Sequence, residues 1–168
     1  MSVTIRKEVP SDVSSIENVT VEAFRDALYT SHTEQIIVNE LRRTSQLFIS
    51  LVADDNSTVI GHVAVSPVSI SDGAAGWYGL GPVSVMPARQ GQGVGSRLIE
   101  KAMADLRNTG AAGCVVAGEP AYYGRFGFVA EPSLVLPGVP PQYFQAMVFR
   151  GPMPSGTVSY SQAFDAAG

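Results

Sequence analysis

The chain has 168 residues, 45% hydrophobic and 15% charged, which suits one folded domain with a real core and excludes a chain that is disordered over most of its length. A formal charge of −4 provides no basic surface for a phosphate backbone, so nucleic acid is excluded as the main partner; a cationic small substrate is compatible with it. No apolar run approaches the ~20 residues needed to cross a bilayer, so no membrane partner is expected.

Residues 2–9, "SVTIRKEV", alternate Val3 and Ile5 with polar side chains and predict a strand that Pro10 ends. Arg6, Lys7, Glu8 and Asp12 rule out a signal-type apolar core here, and the expected location is the cytoplasm. Ser11 or Asp12 can cap a helix carrying Val13, Ile16, Val19 or Thr20, and Phe24 on one face. A second helix is predicted over 33–43, then strands at 46–54, 58–71 and 77–86, separated by turns at 54–57 and 72–76. These three strands form an antiparallel meander, and Pro67 marks the middle one as an edge strand or a bulged one.

From 93 to 109 the period changes. Val94, Leu98, Ile99, Ala102, Met103 and Leu106 share a helical face, Arg97–Glu100 and Lys101–Asp105 are spaced to pair, and Gly110 follows the end. "AGCVVAG", 112–118, reads as a short strand covered on both faces and parallel to the 80–86 strand. Its Cys114, the single cysteine, excludes an internal disulfide and reads as a buried inert thiol. A proline-rich loop at 136–142 precedes a last strand at 143–149. Residues 1–150 form the domain, and 151–168 are a C-terminal extension whose composition leaves order open.

The informative stretch is "MPARQGQGVGSRLIEKAM", 86–103. Glycines at 91, 93 and 95 remove three Cβ atoms where a loop opens a helix, and unpaired first-turn N–H groups there favour an anion. Ser96 adds a hydroxyl. A P-loop is excluded because Ser96 and Arg97 follow the last glycine, and the dinucleotide fingerprint because that glycine comes one residue early. Taken alone, the loop reads first as a flexible segment whose glycines serve only a tight strand-to-helix turn.

Its surroundings change the balance. Gln90, Gly93 and Gly95 match the Gln/Arg-x-x-Gly-x-Gly/Ala motif by which GCN5-related N-acetyltransferases, the GNAT superfamily, bind acetyl-CoA. "LGPVSV", "GEPAYYGRFGF" and "PGVPPQYF" together resemble the YhbS-like group within it, over about residues 3–150. The resemblance implies an α/β (α+β) fold: a mixed, mostly antiparallel sheet whose central parallel pair splays at the cofactor site, with helices on both faces. It implies transfer of an acetyl group from acetyl-CoA to a primary amine of a small molecule or peptide, without a metal, and it leaves a homodimer open. A non-catalytic acyl-CoA-binding domain of the same fold is the alternative.

Under this reading the pyrophosphate of coenzyme A lies on the backbone from Gln90 to Ser96, through Gly91, Gln92, Gly93, Val94 and Gly95, with Arg89 in reach of the phosphates. The pantetheine arm runs along Val83, Ser84 and Val85 like an added strand, and an N–H of Val83 or Val85 points at the thioester oxygen. Tyr123 aligns with the superfamily's tyrosine acid for the leaving thiolate, and Phe126 joins the cofactor side. Glu119 is read equally as the carboxylate that takes the incoming amine's proton or holds a cationic acceptor, and as an acid capping the helix at Pro120. Tyr122 reads as a packing aromatic, His32 as a surface or capping histidine, His62 as structural, and Arg89, Arg97 and Arg125 each as either a cofactor contact or a surface charge.

Overall fold

The structure, a computed structural model, describes residues 2–27, 30 and 32–165; the last three residues of the C-terminal extension lie outside them. In chain order the elements are β1 (Val3–Lys7), α1 (Val13–Phe24), α2 (Glu34–Arg43), β2 (Ile49–Asp55), β3 (Thr58–Ile70), β4 (Trp77–Val85), α3 (Val94–Asn108), β5 (Gly113–Ala117), α4 (Pro120–Tyr123), β6 (Val129–Ala130), β7 (Leu134–Val135), β8 (Phe144–Val148) and β9 (Gly156–Tyr160). The sheet runs β1-β2-β3-β4-β5-β8-β6, with β9 pairing to β3 and β7. The predicted meander is β2-β3-β4, antiparallel throughout.

Alternation along β2 sets the layers. Leu51 and Ala53 join the cluster built on Leu98, Ile99 and Leu106 of α3. Val52, between them, packs with Ile16 of α1 and Val38 of α2 on the opposite face. All six apolar positions predicted for α3 are buried. The five larger side chains contribute about 2 kcal/mol of apolar burial each and Ala102 less, so trimming Leu98 to Ala costs about 2–5 kcal/mol. Lys101 and Asp105 pair at 2.5 Å, whereas Arg97 and Glu100 do not.

Two local expectations change. Asp12 does not cap α1: its carboxylate turns back to accept from the Val9 N–H at 2.8 Å and pairs with Arg6 at 2.8 Å, closing the 3₁₀ turn before the helix. And of the two readings of β3 the edge strand falls, while the irregular strand stands, since its register slips against both β2 and β4. Its pairing with β2 ends at Val65 and its pairing with β9 begins at Val68, so Pro67 falls at the handover between partners.

The feature that makes a site is the end of the central parallel pair. β5 pairs with β4 only at Trp77–Gly79, although β4 runs on to Val85. Beyond Gly79 one edge of β4 is open. The register between β3 and β4 slips in the same place, with Gly81 and Pro82 standing against Ala64 alone.

Candidate active site

Residues 83–85 present their outer backbone groups to that opening. Met86 N–H donates to Ile60 O at 2.9 Å. The register Gly61↔Val85, His62↔Ser84 and Val63↔Val83 then gives Ser84 to β3 and turns the N–H and C=O of Val83 and Val85 outward. Ser84 is therefore corrected as an edge residue. Its side chain is 1% exposed, on the face covered by α1, and its backbone belongs to β3.

The glycine loop forms a cleft of about 370 Å³ at one end of this edge, lined by Val85, Arg89, the loop glycines, Ser96, Tyr122 and Arg125. Gly91 and Gly93 have φ of +75° and +84°, and an added Cβ at either meets only open space. These two positions need glycine for backbone conformation. Gly95 differs: its Cβ would lie 3.0 Å from the Tyr122 hydroxyl, so the absent side chain lets Tyr122 close over the helix start. The first helical bond of α3 is Arg97 N–H to Gly93 O, 3.1 Å. The N–H groups of Val94, Gly95 and Ser96 precede it and are free to hold an anion, with those of Gly91, Gln92 and Gly93 beside them. Val94 contributes backbone alone, its side chain being buried.

Gln90 also lines the cleft. Its N–H goes to Pro87 O at 3.4 Å, and its side-chain amide donates to Val85 O at 3.0 Å, bridging the loop to the open edge. Arg89 is also committed, pairing with Asp55 at 2.7 Å and donating to Gln92 at 3.2 Å. The second cation lining the cleft is Arg125, whose guanidinium lies 5.2 Å from the Tyr122 ring centre and donates to Ser96 Oγ at 3.1 Å. Phe126 meets Tyr122 edge-on at 5.5 Å and lines the adjoining groove with Arg125 and Glu100.

At the other end lies a cavity of about 690 Å³, with Val83 and Tyr123 on its wall. The short helix α4 separates neighbouring tyrosines: Tyr122 faces the glycine cleft and Tyr123 this cavity, their rings edge-to-face at 5.0 Å. Burial, together with Tyr122, pushes the Tyr123 phenol up to about 12, so it is a donor across the whole working pH range.

Glu119 lines neither space. It is exposed at the start of α4, where its carbonyl accepts from Tyr122 and Tyr123 N–H at 3.1 and 3.0 Å and its carboxylate caps nothing. His62 is fully buried, with Nε2 2.8 Å from Ser50 Oγ and a pKa lowered to about 4 by burial. The carboxylates of the cavity are Glu34 and Asp165 instead, and Tyr160 and Phe164 of the C-terminal segment join them. Sequence reasoning missed all four. The alternation of Val158 and Tyr160 was the available signal for β9, but nothing in it pointed to a cavity. Cys114 is buried, and burial pushes its thiol up, as expected for an inert group.

Residues 13–128 match the acetyltransferase (GNAT) family. The chain belongs to the GNAT family. It is 37% identical over 125 residues to the Escherichia coli K12 N-acetyltransferase YhbS, covering 74% of this chain and 72% of YhbS. The crystal structure of E. coli YhbS in complex with CoA superposes with a TM-score of 0.86 at 31% identity, over 98% of this chain and 93% of that one. A GNAT acetyltransferase from Brucella melitensis, solved in complex with acetyl-CoA, matches at a TM-score of 0.87 and 48% identity, over 97% of this chain and 98% of its own. This GNAT protein is thus an acetyl-CoA-dependent N-acetyltransferase by family and keeps the mixed, mostly antiparallel sheet with its central parallel pair β4–β5. Among the described residues no group of three or more His, Cys, Asp or Glu is arranged to hold a metal ion, and no helix is long and apolar enough to cross a membrane.

Proposed function

We propose that this chain moves the acetyl group of acetyl-CoA to a primary amine of a small molecule or peptide, by direct attack across the open edge of β4. One observation supports this above the rest: the edge left by β5 joins an anion cradle at one end to the Tyr123 cavity at the other. A diphosphate, an extended arm and a thioester fit those three parts in that order. The missing Cβ atoms and unpaired N–H groups at 91–96 suit the diphosphate, with Arg125 as its cation. The outward groups of Val83 and Val85 suit the arm as an added strand.

In the reaction the amine nitrogen forms a bond to the thioester carbon and the carbon–sulfur bond breaks. An N–H of β4, from Val83 or Val85, donates to the carbonyl oxygen as charge builds there. Tyr123 donates to the departing sulfur. A phenol at about 12 is a weaker acid than a model thiol near 8.5, and complete proton transfer costs roughly 5 kcal/mol. Tyr123 therefore acts chiefly through its hydrogen bond, and the proton lost by the amine reaches the thiolate through water. With Glu119 outside the cavity, and Glu34 and Asp165 on elements other than those that carry Tyr123 and Val83, water is also the proton acceptor from the incoming ammonium.

The test is CoA release, followed by a thiol reagent, with acetyl-CoA and a panel of amines. CoA and acetyl-CoA should each raise the melting temperature, and at least one amine should drive thiol release. Absence of a thermal shift at millimolar coenzyme would overturn the reading.

A further inference from the structure

The cavity that holds Tyr123 is acidic on one wall. Glu34 stands in the first turn of α2, where the Thr30 hydroxyl donates to its carboxylate. Asp165 ends the 3₁₀ turn that follows β9. These two elements pack on each other through Ile37, Leu41 and Ala163, so both carboxylates belong to one wall. Elsewhere the lining is mostly apolar or aromatic, with Leu80, Leu136, Val158 and Phe164 beside the neutral Ser159 and Ser161, and none of the described lining residues is Lys, Arg or His.

The reacting nitrogen must be neutral to attack, and a carboxylate beside it would hold it protonated. Tyr123 and Val83, which mark the reacting end, sit on α4 and β4, whereas the carboxylates come from α2 and the C-terminal turn. The acidic wall thus suits a second charge on the acceptor. We infer that the acceptor is an amine with a further cationic group beyond an apolar spacer, a diamine or a guanidino-amine. A free amino acid would set its own carboxylate against Glu34 and Asp165. This inference rests on the amine-acetylation reading above and deepens it. It also gives the C-terminal segment a role in selectivity, since that segment supplies Asp165, Phe164 and Tyr160 to the cavity.

The experiment compares 1,4-diaminobutane, n-butylamine and 4-aminobutanoate as acceptors for the full chain with saturating acetyl-CoA. The expected kcat/KM for the diamine is at least 10-fold above butylamine, with aminobutanoate lowest, and added salt should narrow the gap. E34Q and D165N should each shrink the diamine-to-butylamine ratio several-fold. Asp165 is exposed, so D165N keeps the test sound if E34Q disturbs the fold, and the thermal shift with CoA reports folding for both. A ratio near one, or a ratio that neither variant alters, overturns the inference while amine transfer stands. No thiol release with any amine, despite a normal CoA shift, sinks the transfer reading and this inference with it.

Discussion

Gly118 lies so close against Tyr123 that a Cβ at position 118 would stand 2.4 Å from Cε2 of the tyrosine ring. The glycine is pinned from two sides: its N–H donates to Tyr143 O at 2.9 Å and its carbonyl accepts from Gln145 at 3.1 Å. It cannot retreat, so the ring is held by the end of β5. G118A should therefore displace Tyr123 and cost about 1–3 kcal/mol through overpacking. Thiol release should fall at least 10-fold, with the thermal shift by CoA largely retained because the backbone donors of the glycine loop are untouched. Unchanged turnover in a folded G118A protein would show that the ring position does not matter.

Y123F tests the hydroxyl itself. It keeps the packing against Gly118 and Phe128 and removes the donor. Turnover should drop about 100-fold, the lower range for a positioned proton donor, with little change in KM for acetyl-CoA. A variant with full kcat would assign the leaving sulfur to water.

Gly95 and Tyr122 should behave as a coupled pair. G95A places a methyl 3.0 Å from the Tyr122 hydroxyl and should raise KM for acetyl-CoA several-fold by opening the cleft. Y122F removes the clashing oxygen, so the double variant should recover part of the loss. Additive losses in KM would show that the two sites act independently.

Arg125 should govern cofactor affinity alone. R125A removes the cation beside Ser96 and should raise KM for acetyl-CoA about 10-fold, a loss typical of one charge-assisted hydrogen bond, with kcat within about twofold. The wild-type KM should climb with ionic strength more steeply than that of R125A. Equal salt dependence would assign the attraction to the backbone donors.

The buried histidine sets an acid limit on stability. Burial holds His62 neutral down to about pH 4, whereas the unfolded chain protonates it near 6.5. The unfolded state binds that proton first, so the stability is fully present above 6.5 and is lost as the pH falls from 6.5 toward 4, by roughly 3 kcal/mol in all. Burial also pushes the Glu8 carboxyl up, but hydrogen bonds from Arg42 and Ser50 together carry it below the usual range, so its contribution is lost at lower pH still. Urea midpoints should decline over this window, and H62Q should flatten the limb between 6.5 and 4. An equally steep limb in H62Q would move the cause to the carboxylates.

What was legible in the chain itself was local and periodic. The face of α3, the strand alternations, the turn glycines and the spacing of Gln90, Gly93 and Gly95 depend on neighbours within a few residues, and they pointed to the sheet order, the anion cradle and the family. The other half of the site depended on contacts far apart in sequence. Glu34 and Asp165 meet in one wall because α2 packs on the C-terminal turn, and Tyr160 reaches the cavity because β9 pairs with β3. Glu119 looked like a base by position along the chain, yet the turn of α4 leaves it exposed. Periodicity reports which side of an element is buried; which distant element buries it is settled only when the sheet closes and the helices dock, because that packing energy is shared among residues the sequence keeps apart.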